Sequence, residues 1–216
     1  MEYAGFRDTL LKGNRKDASG IIRHMMDSKP VEEIYEGVIR PALYDIGTLW
    51  ENNRISVATE HMATAITEGI MNEIFPEIIS SDRKSRKVVL TSVEGEPHQV
   101  GARMVGDLFE INGWDAYYVG SDTPVKELLS FIDEIKPDII GLSMTVYFNL
   151  PALEKTIRAI REKYSDTEIM VGGQGFIHGG AGLIEKYDRV VLIKDLHELD
   201  EYIKEKRYYT GVSFAE

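Results

Sequence analysis

The chain has 216 residues, of which 43% are hydrophobic and 28% charged. That mixture excludes a disordered or low-complexity chain and leaves room for one large domain or two small ones. Cysteine is absent, which excludes disulfide scaffolds, thiolate metal sites and cysteine nucleophiles. The formal net charge of −11 argues against direct nucleic-acid binding, because a duplex demands a basic face.

No apolar run approaches the roughly 20 residues needed to cross a bilayer, and the start MEYAGFRDTLLKGNRKD does not read as a secretory signal. A cytoplasmic protein with no membrane partner is expected.

Residues 1–79 read as a helical domain. Phe6, Leu10 and Leu11 fall at helical spacing, and Ile21, Ile22 and Met25 do so again after Gly13-Asn14. Asp27-Ser28-Lys29-Pro30 is a stop and restart. A long stripe follows, from Ile34 through Val38, Ile39, Leu43, Ile46 and Leu49 to Trp50. Pro41 lies within it and is expected to kink or divide that helix. Ser56 reads as the N-cap of a last helix carrying Val57, His61, Ile66, Ile70 and Ile74, with Pro76 in its end zone. Four helices with short connections point to a bundle.

Residues 80–87, SSDRKSRK, contain no apolar side chain and read as a solvated linker. From 88 to 216 the pattern changes to β-α-β-α alternation. Strands are expected at Val88–Val93, Ala116–Val119, Ile139–Leu142, Ile169–Val171 and Val190–Ile193. Helices are expected near 98–112, 124–135, 151–164, 179–187 and 196–206. The fold class is thus a helical bundle followed by a flavodoxin-like, five-stranded parallel sheet covered by helices. Ligands of such sheets bind beyond the carboxyl ends of the strands, so the loops after each strand are the ones that matter.

The loop after the first strand reads Glu94-Gly95-Glu96-Pro97-His98-Gln99-Val100-Gly101. A carboxylate two residues before a histidine can hold one ring nitrogen and raise the basicity of the other. A plain helix-start histidine with a local partner explains the same residues. The third strand ends Ser143-Met144-Thr145, two hydroxyls that point the same way on an extended chain. They suit a polar ligand, or simply the local backbone. The fourth strand ends Gly172-Gly173, which allows a tight turn or close passage of a ligand. No Walker A, G-x-G-x-x-G, G-x-S-x-G or H-E-x-x-H motif is present.

Taken together, Glu96-x-His98-x-x-Gly101, Ser143-x-Thr145 and Gly172-Gly173 resemble the cobalamin-binding family pattern D-x-H-x-x-G, S-x-L or S-x-T, and G-G, over roughly residues 86–206. The resemblance implies that His98 replaces the cofactor's benzimidazole as the lower cobalt ligand, base-off and His-on, with Glu96 behind it. Ser143, Thr145, Gly172 and Gly173 would then line the pocket of the displaced nucleotide tail. Glu96 stands where most members carry Asp, one methylene shorter.

The helical half is similar as well. Trp50 followed by Glu60-His61 resembles the W-x9-E-H signature of a four-helix cap over cobalamin, found in the adenosylcobalamin-using branch of MerR-type light-dependent regulators. The resemblance places Trp50, Glu60 and His61 at the upper face of the corrinoid. Glu51 stands where that branch has a histidine after the tryptophan. A core anchor explains Trp50, and an exposed helical pair explains Glu60-His61, on spacing alone.

The resemblance implies a cobalamin-binding protein, with the corrinoid between cap and α/β domain and either adenosylcobalamin or methylcobalamin as cofactor. We expect a sensory or regulatory module first, and a corrinoid methyl carrier of a methyltransferase system second. Partners would be a regulator, a methyltransferase or a second copy of the chain. The chain begins directly with the bundle, so a self-contained transcription factor is not expected. A carbon-skeleton mutase subunit and a haem site on His98 are weaker readings. No catalytic residue of the protein itself stands out.

Overall fold

The computed structural model describes residues 2–208, which separate between Ile79 and Ser80 into two units.

The first unit is helical. Helix α1 (Glu2–Leu11) ends at Gly13, and Asn14 caps α2 (Arg15–Met26) by accepting the Asp17 N–H. After Pro30 the chain runs as α3 (Val31–Ile34), a π-helical turn (Tyr35–Ile39) and α4 (Arg40–Glu51), without a break. Pro41 therefore divides the helix as expected, but by widening one turn. It has no N–H to donate, and in a regular helix its ring would press on the carbonyl four residues earlier. The π turn shifts the register so that the Arg40 N–H reaches the Tyr35 carbonyl. Ser56 caps α5 (Val57–Ile78) through its Oγ, which accepts the Thr59 N–H at 3.1 Å. Phe6, Leu10, Ile22, Ile34, Tyr35, Ile39, Ile46, Ile70 and Ile74 form the core. The apolar stripe of α4 leaves that core at its end, where Leu49 is half-buried and Trp50 is 42% exposed.

The second unit is an all-parallel sheet in the order β2-β1-β3-β4-β5. The strands are β1 (Lys87–Ser92), β2 (Asp115–Gly120), β3 (Ile139–Ser143), β4 (Glu168–Gly172) and β5 (Val190–Ile193). They connect through α6 (Val100–Ile111), α7 (Val125–Ile135), α8 (Leu150–Lys163) and the short α9 (Ala181–Ile184), and α10 (Leu196–Tyr208) follows. Val88, Val89, Leu90, Ile139, Ile140 and Leu142 are buried, as strands covered on both faces require. The register sets Ser92 beside Ser143, and Ser143 beside Gly172. Because β2 and β3 flank β1 on opposite sides, the connections reverse there. The switch-point crevice opens between the carboxyl ends of β1 and β3.

Two sequence expectations change. The helix expected at 179–187 shrinks to four residues, preceded by a 3-10 turn (Gln174–His178). Six glycines between 172 and 182 explain this, since glycine in a helix loses the most backbone entropy. The segment 80–87 is not freely solvated. Arg83 pairs with Glu110 (2.7 Å) and Asp115 (2.5 Å) and donates to the Trp114 carbonyl. Arg86 lies over the Trp114 ring, and the Lys84 N–H bonds the Gly113 carbonyl.

Candidate functional site

The site grows from the end of β1. Val93 continues the strand direction by donating to the Ser143 carbonyl, and a turn through Gly95, at φ +82°, brings the Glu96 N–H back to the Val93 carbonyl. That turn drives the Glu96 side chain inward, where it is completely buried.

A buried carboxylate is costly unless its lone pairs are filled. Glu96 is filled by five donors. Oε1 accepts the His98 backbone N–H at 3.2 Å and faces His98 Nδ1 at 2.5 Å. Oε2 accepts the backbone N–H groups of Thr145 (2.9 Å) and Val146 (2.8 Å) and the Asn149 amide (3.1 Å). Burial pushes the Glu96 carboxyl upward. The hydrogen bonds from His98, Val146 and Asn149 more than offset that and hold it at about 2.

An ionised carboxylate at Nδ1 favours a proton on Nδ1, so in the neutral ring the lone pair sits on Nε2. The imidazole is 44% exposed. Its backbone is fixed from below, because buried Ser92 donates to the His98 carbonyl at 2.9 Å. The loop is held from the side by Asp122, whose carboxylate accepts the Gly95 N–H at 2.9 Å, and by Lys155, paired with Glu94 at 2.8 Å.

The structure gathers the other expected residues of this unit at the same edge. Ser143 is half-buried at the end of β3. Thr145 acts through its backbone, as a clamp on Glu96. Met144 between them donates to the Gly172 carbonyl and accepts the Gly175 N–H. Gly173 sits at φ +115°, where a Cβ would lie 2.3 Å from the Met144 carbonyl oxygen, so packing of β4 on β3 itself requires glycine. Gly101 differs. It is exposed on the first turn of α6, and a Cβ there would meet nothing within 4 Å.

In the helical unit, Trp50 is the last residue but one of α4, and Glu60 and His61 lie near the start of α5, across the 52–56 turn. The core-anchor reading of Trp50 fails on its exposure. Glu60 accepts from Thr64 Oγ1 at 2.9 Å, while the His61 ring, 3.5 Å away, is largely exposed.

Two residues escaped the sequence reading: Asn149 and Ser92. Asn149 directly precedes Leu150-Pro151 and looks like a helix cap, yet its side chain makes no cap and serves Glu96 instead. Asp122, in the Tyr118–Pro124 stretch at the end of β2 that also resembles the cobalamin-binding branch, sits at φ +58° and reaches back to the β1 loop.

Among the described residues no group of three or more His, Cys, Asp or Glu side chains could hold a bare metal ion. Both Glu96 oxygens are already committed. The donor set is a single oriented imidazole, which fits a metal that arrives inside its own chelate, as in a corrinoid, with one axial position for the protein. The empty space over Gly101 leaves room for such a ligand to approach.

Comparison with known proteins agrees. A B12 binding domain model matches residues 86–193, and a second B12 binding domain model matches residues 3–74. Dimethylamine corrinoid protein 1 of Methanosarcina acetivorans is 27% identical over 146 residues, 65% of this chain and 68% of that protein. The HTH-type transcriptional repressor CarA of Myxococcus xanthus is 27% identical over 150 residues, 67% of this chain but 48% of its own length. The structure of the Methanosarcina barkeri monomethylamine corrinoid protein superposes with a TM-score of 0.80 at 16% identity, covering 95% of this chain and 98% of that one. The chain belongs to the B12-binding domain family. No helix among the described residues is long and apolar enough to cross a membrane.

Proposed function

We propose that the chain is a corrinoid-binding methyl carrier that serves a partner methyltransferase. The observation that carries this reading is the Glu96–His98 pair, in which a buried, fully hydrogen-bonded carboxylate sets the tautomer and aim of one imidazole. When bound, the corrinoid supplies the cobalt chemistry of methyl transfer; the protein supplies ligand, burial and orientation. His98 would offer Nε2 as the lower axial ligand. Glu96 would keep the compensating proton on Nδ1 and share the positive charge that ligation places on the ring. Gly101 would let the ligand approach. Ser143, Thr145, Gly172 and Gly173 would line the nucleotide tail, and Trp50, Glu60 and His61 would face the upper side.

This order reverses the expectation from sequence alone, which put sensing first. Support for carriage comes from likeness to a dimethylamine corrinoid protein along 68% of that relative, against 48% of the CarA repressor. The test is an absorption spectrum of protein reconstituted with corrinoid, beside His98→Ala, followed by reduction and incubation with methylamine methyltransferase and methyl donor. A His-on spectrum lost in the variant, with methyl uptake by the reduced wild type, is expected. Loading without any methyl uptake would sink carriage.

The second reading, an adenosylcobalamin sensor, keeps one favouring observation: Trp50 and His61 are exposed, with Glu60 partly buried between helix turns beside His61, so the residues of the W-x9-E-H signature lie near one another in the helical unit. It predicts that green light changes the assembly state of the adenosylcobalamin-loaded protein. An unchanged assembly state would remove it.

A further inference from the structure

His98 is held at three of its own groups, and two of them go to one carboxylate. Its backbone N–H and its ring Nδ1 face Glu96 Oε1, while its carbonyl accepts the Ser92 hydroxyl at 2.9 Å. Glu96 belongs to the loop it holds, and its far oxygen is tied to the β3 loop. Ser92 is different. It is the last residue of β1, an inner strand of the sheet, and it is completely buried.

Its place follows from the sheet. Pairing of β1 with β2 ends at Thr91, after a register shift that matches Thr91 to Gly120, whereas pairing with β3 continues to Ser92 and Ser143. Ser92 thus stands where the two neighbours of β1 part, the point at which a doubly wound sheet takes its ligands. From there the chain leaves as the 93–97 loop and returns at His98, and the Ser92–His98 bond closes the neck. The His98 carbonyl lies outside the ladder of α6, whose first acceptor is the Gln99 carbonyl, reached by the Arg103 N–H at 3.0 Å. The helix does not fix that carbonyl; a side chain from the sheet does. The two ties therefore act on different things. Glu96 chooses which ring nitrogen carries the proton. A hydroxyl on the main chain sets how far the loop, and the imidazole with it, stands above the end of β1.

We propose that Ser92 is a positioning residue for cobalt ligation, whose hydroxyl clamps the neck of the ligand loop so that the His98 imidazole is already in place when the metal arrives. The inference rests on the corrinoid-binding reading above. Without the clamp, ordering the loop becomes a cost of binding, and that cost falls only on a ligand that engages the imidazole.

The test is a double-mutant cycle. Wild type, Ser92→Ala, His98→Ala and the double variant are titrated in the dark with methylcobalamin, followed by absorption. The net worth of one hydrogen bond makes Ser92→Ala bind about five- to tenfold more weakly than wild type. The same substitution is expected to change affinity by less than about twofold when His98 is already alanine. In the apoprotein of Ser92→Ala the ring 15N shifts are expected to keep the Nδ1–H pattern, because Glu96 is untouched. An equal loss in both backgrounds overturns the proposal, since Ser92 would then serve the domain and not the ligand. Wild-type affinity in Ser92→Ala overturns it as well, and so does a change of the ring to Nε2–H, which would mean that Ser92 acts through the tautomer. Where His98→Ala binds too weakly to titrate, the loaded Ser92→Ala protein decides: a smaller His-on fraction than wild type is expected, and an equal one overturns the clamp. Ser92→Cys, which nearly keeps the volume and offers a weaker donor, carries the same expectations should the alanine variant fail to fold. Failure of the wild type to load strikes the underlying reading instead.

Discussion

Replacing Glu96 by glutamine separates the tautomer argument from the packing argument, because shape is kept and only the pattern of donors changes. The carboxylate accepts at both oxygens: two donors of His98 on Oε1, and Thr145, Val146 and Asn149 on Oε2. Glutamine offers one oxygen and one NH2. If the NH2 faces the 145–149 loop, three donors lose their acceptor. If it faces His98, only the His98 backbone N–H does, provided the ring accepts at Nδ1. A buried donor left unsatisfied costs about 1–3 kcal/mol, so the second arrangement wins by several kcal/mol. The apoprotein of Glu96→Gln should therefore remain folded, with stability lowered by about 1–3 kcal/mol in urea unfolding at pH 7. Its His98 ring must carry the proton on Nε2, where a metal would bind. Ring 15N shifts of the apoprotein read this directly: Nδ1–H in the wild type, Nε2–H in the variant. The variant should also lose the His-on absorption spectrum when corrinoid is added. Retention of Nδ1–H in Glu96→Gln, or an undiminished His-on spectrum, would refute the reasoning that the carboxylate sets the ligand.

The pH dependence follows from the same group. Glu96 is held at about 2 in the folded protein against an ordinary 4.5, so its contribution to stability is complete above 4.5 and is lost as pH falls through 2. The shift corresponds to about 3 kcal/mol, and the wild type should lose that much more stability than Glu96→Gln between pH 5 and pH 2 in urea titrations. Gly173→Ala places a Cβ 2.3 Å from the Met144 oxygen at φ +115° and should cost about 3 kcal/mol or more; a midpoint like that of wild type would contradict the packing described. Gly101→Leu should leave the apoprotein as stable as wild type or about 0.5 kcal/mol more so, because the position is open and helical, while weakening corrinoid binding at least about tenfold in a spectral titration. Arg83→Gln should cost about 1–2 kcal/mol, since its partner Glu110 is buried while Arg83 itself keeps some solvent; no change in thermal midpoint would restore the solvated-linker reading.

What the sequence made legible was what depends on near neighbours along the chain. The strands of the second unit were placed within a residue or two because β1 and β3 are buried on both faces and must be apolar throughout. The Glu96–His98 relation, two residues apart, was readable for the same reason. What escaped was set by contacts across long separations. Asn149 serves a carboxylate 53 positions earlier, and nothing local distinguishes it from a helix cap. The basic segment looked solvated because the acids that hold Arg83 lie 27 and 32 positions away. Thr145 was singled out for its hydroxyl, whereas its backbone N–H makes the contact that matters, and a backbone donor leaves no mark in the sequence.

The departure at position 96 becomes intelligible in the same terms. Glu96 must reach two ends at once, His98 on its own loop and the backbone of 145 and 146 on the next. The extra methylene relative to aspartate lets one carboxylate span both while remaining wholly buried. Shortening it would force a choice between them. Glu96→Asp should therefore keep either the grip on the β3 loop or the grip on the imidazole unless the 94–96 turn moves inward. That turn is pinned by Asp122 at Gly95 and by Lys155 at Glu94. The length of residue 96 and the pins on its turn are thus one constraint seen from two sides.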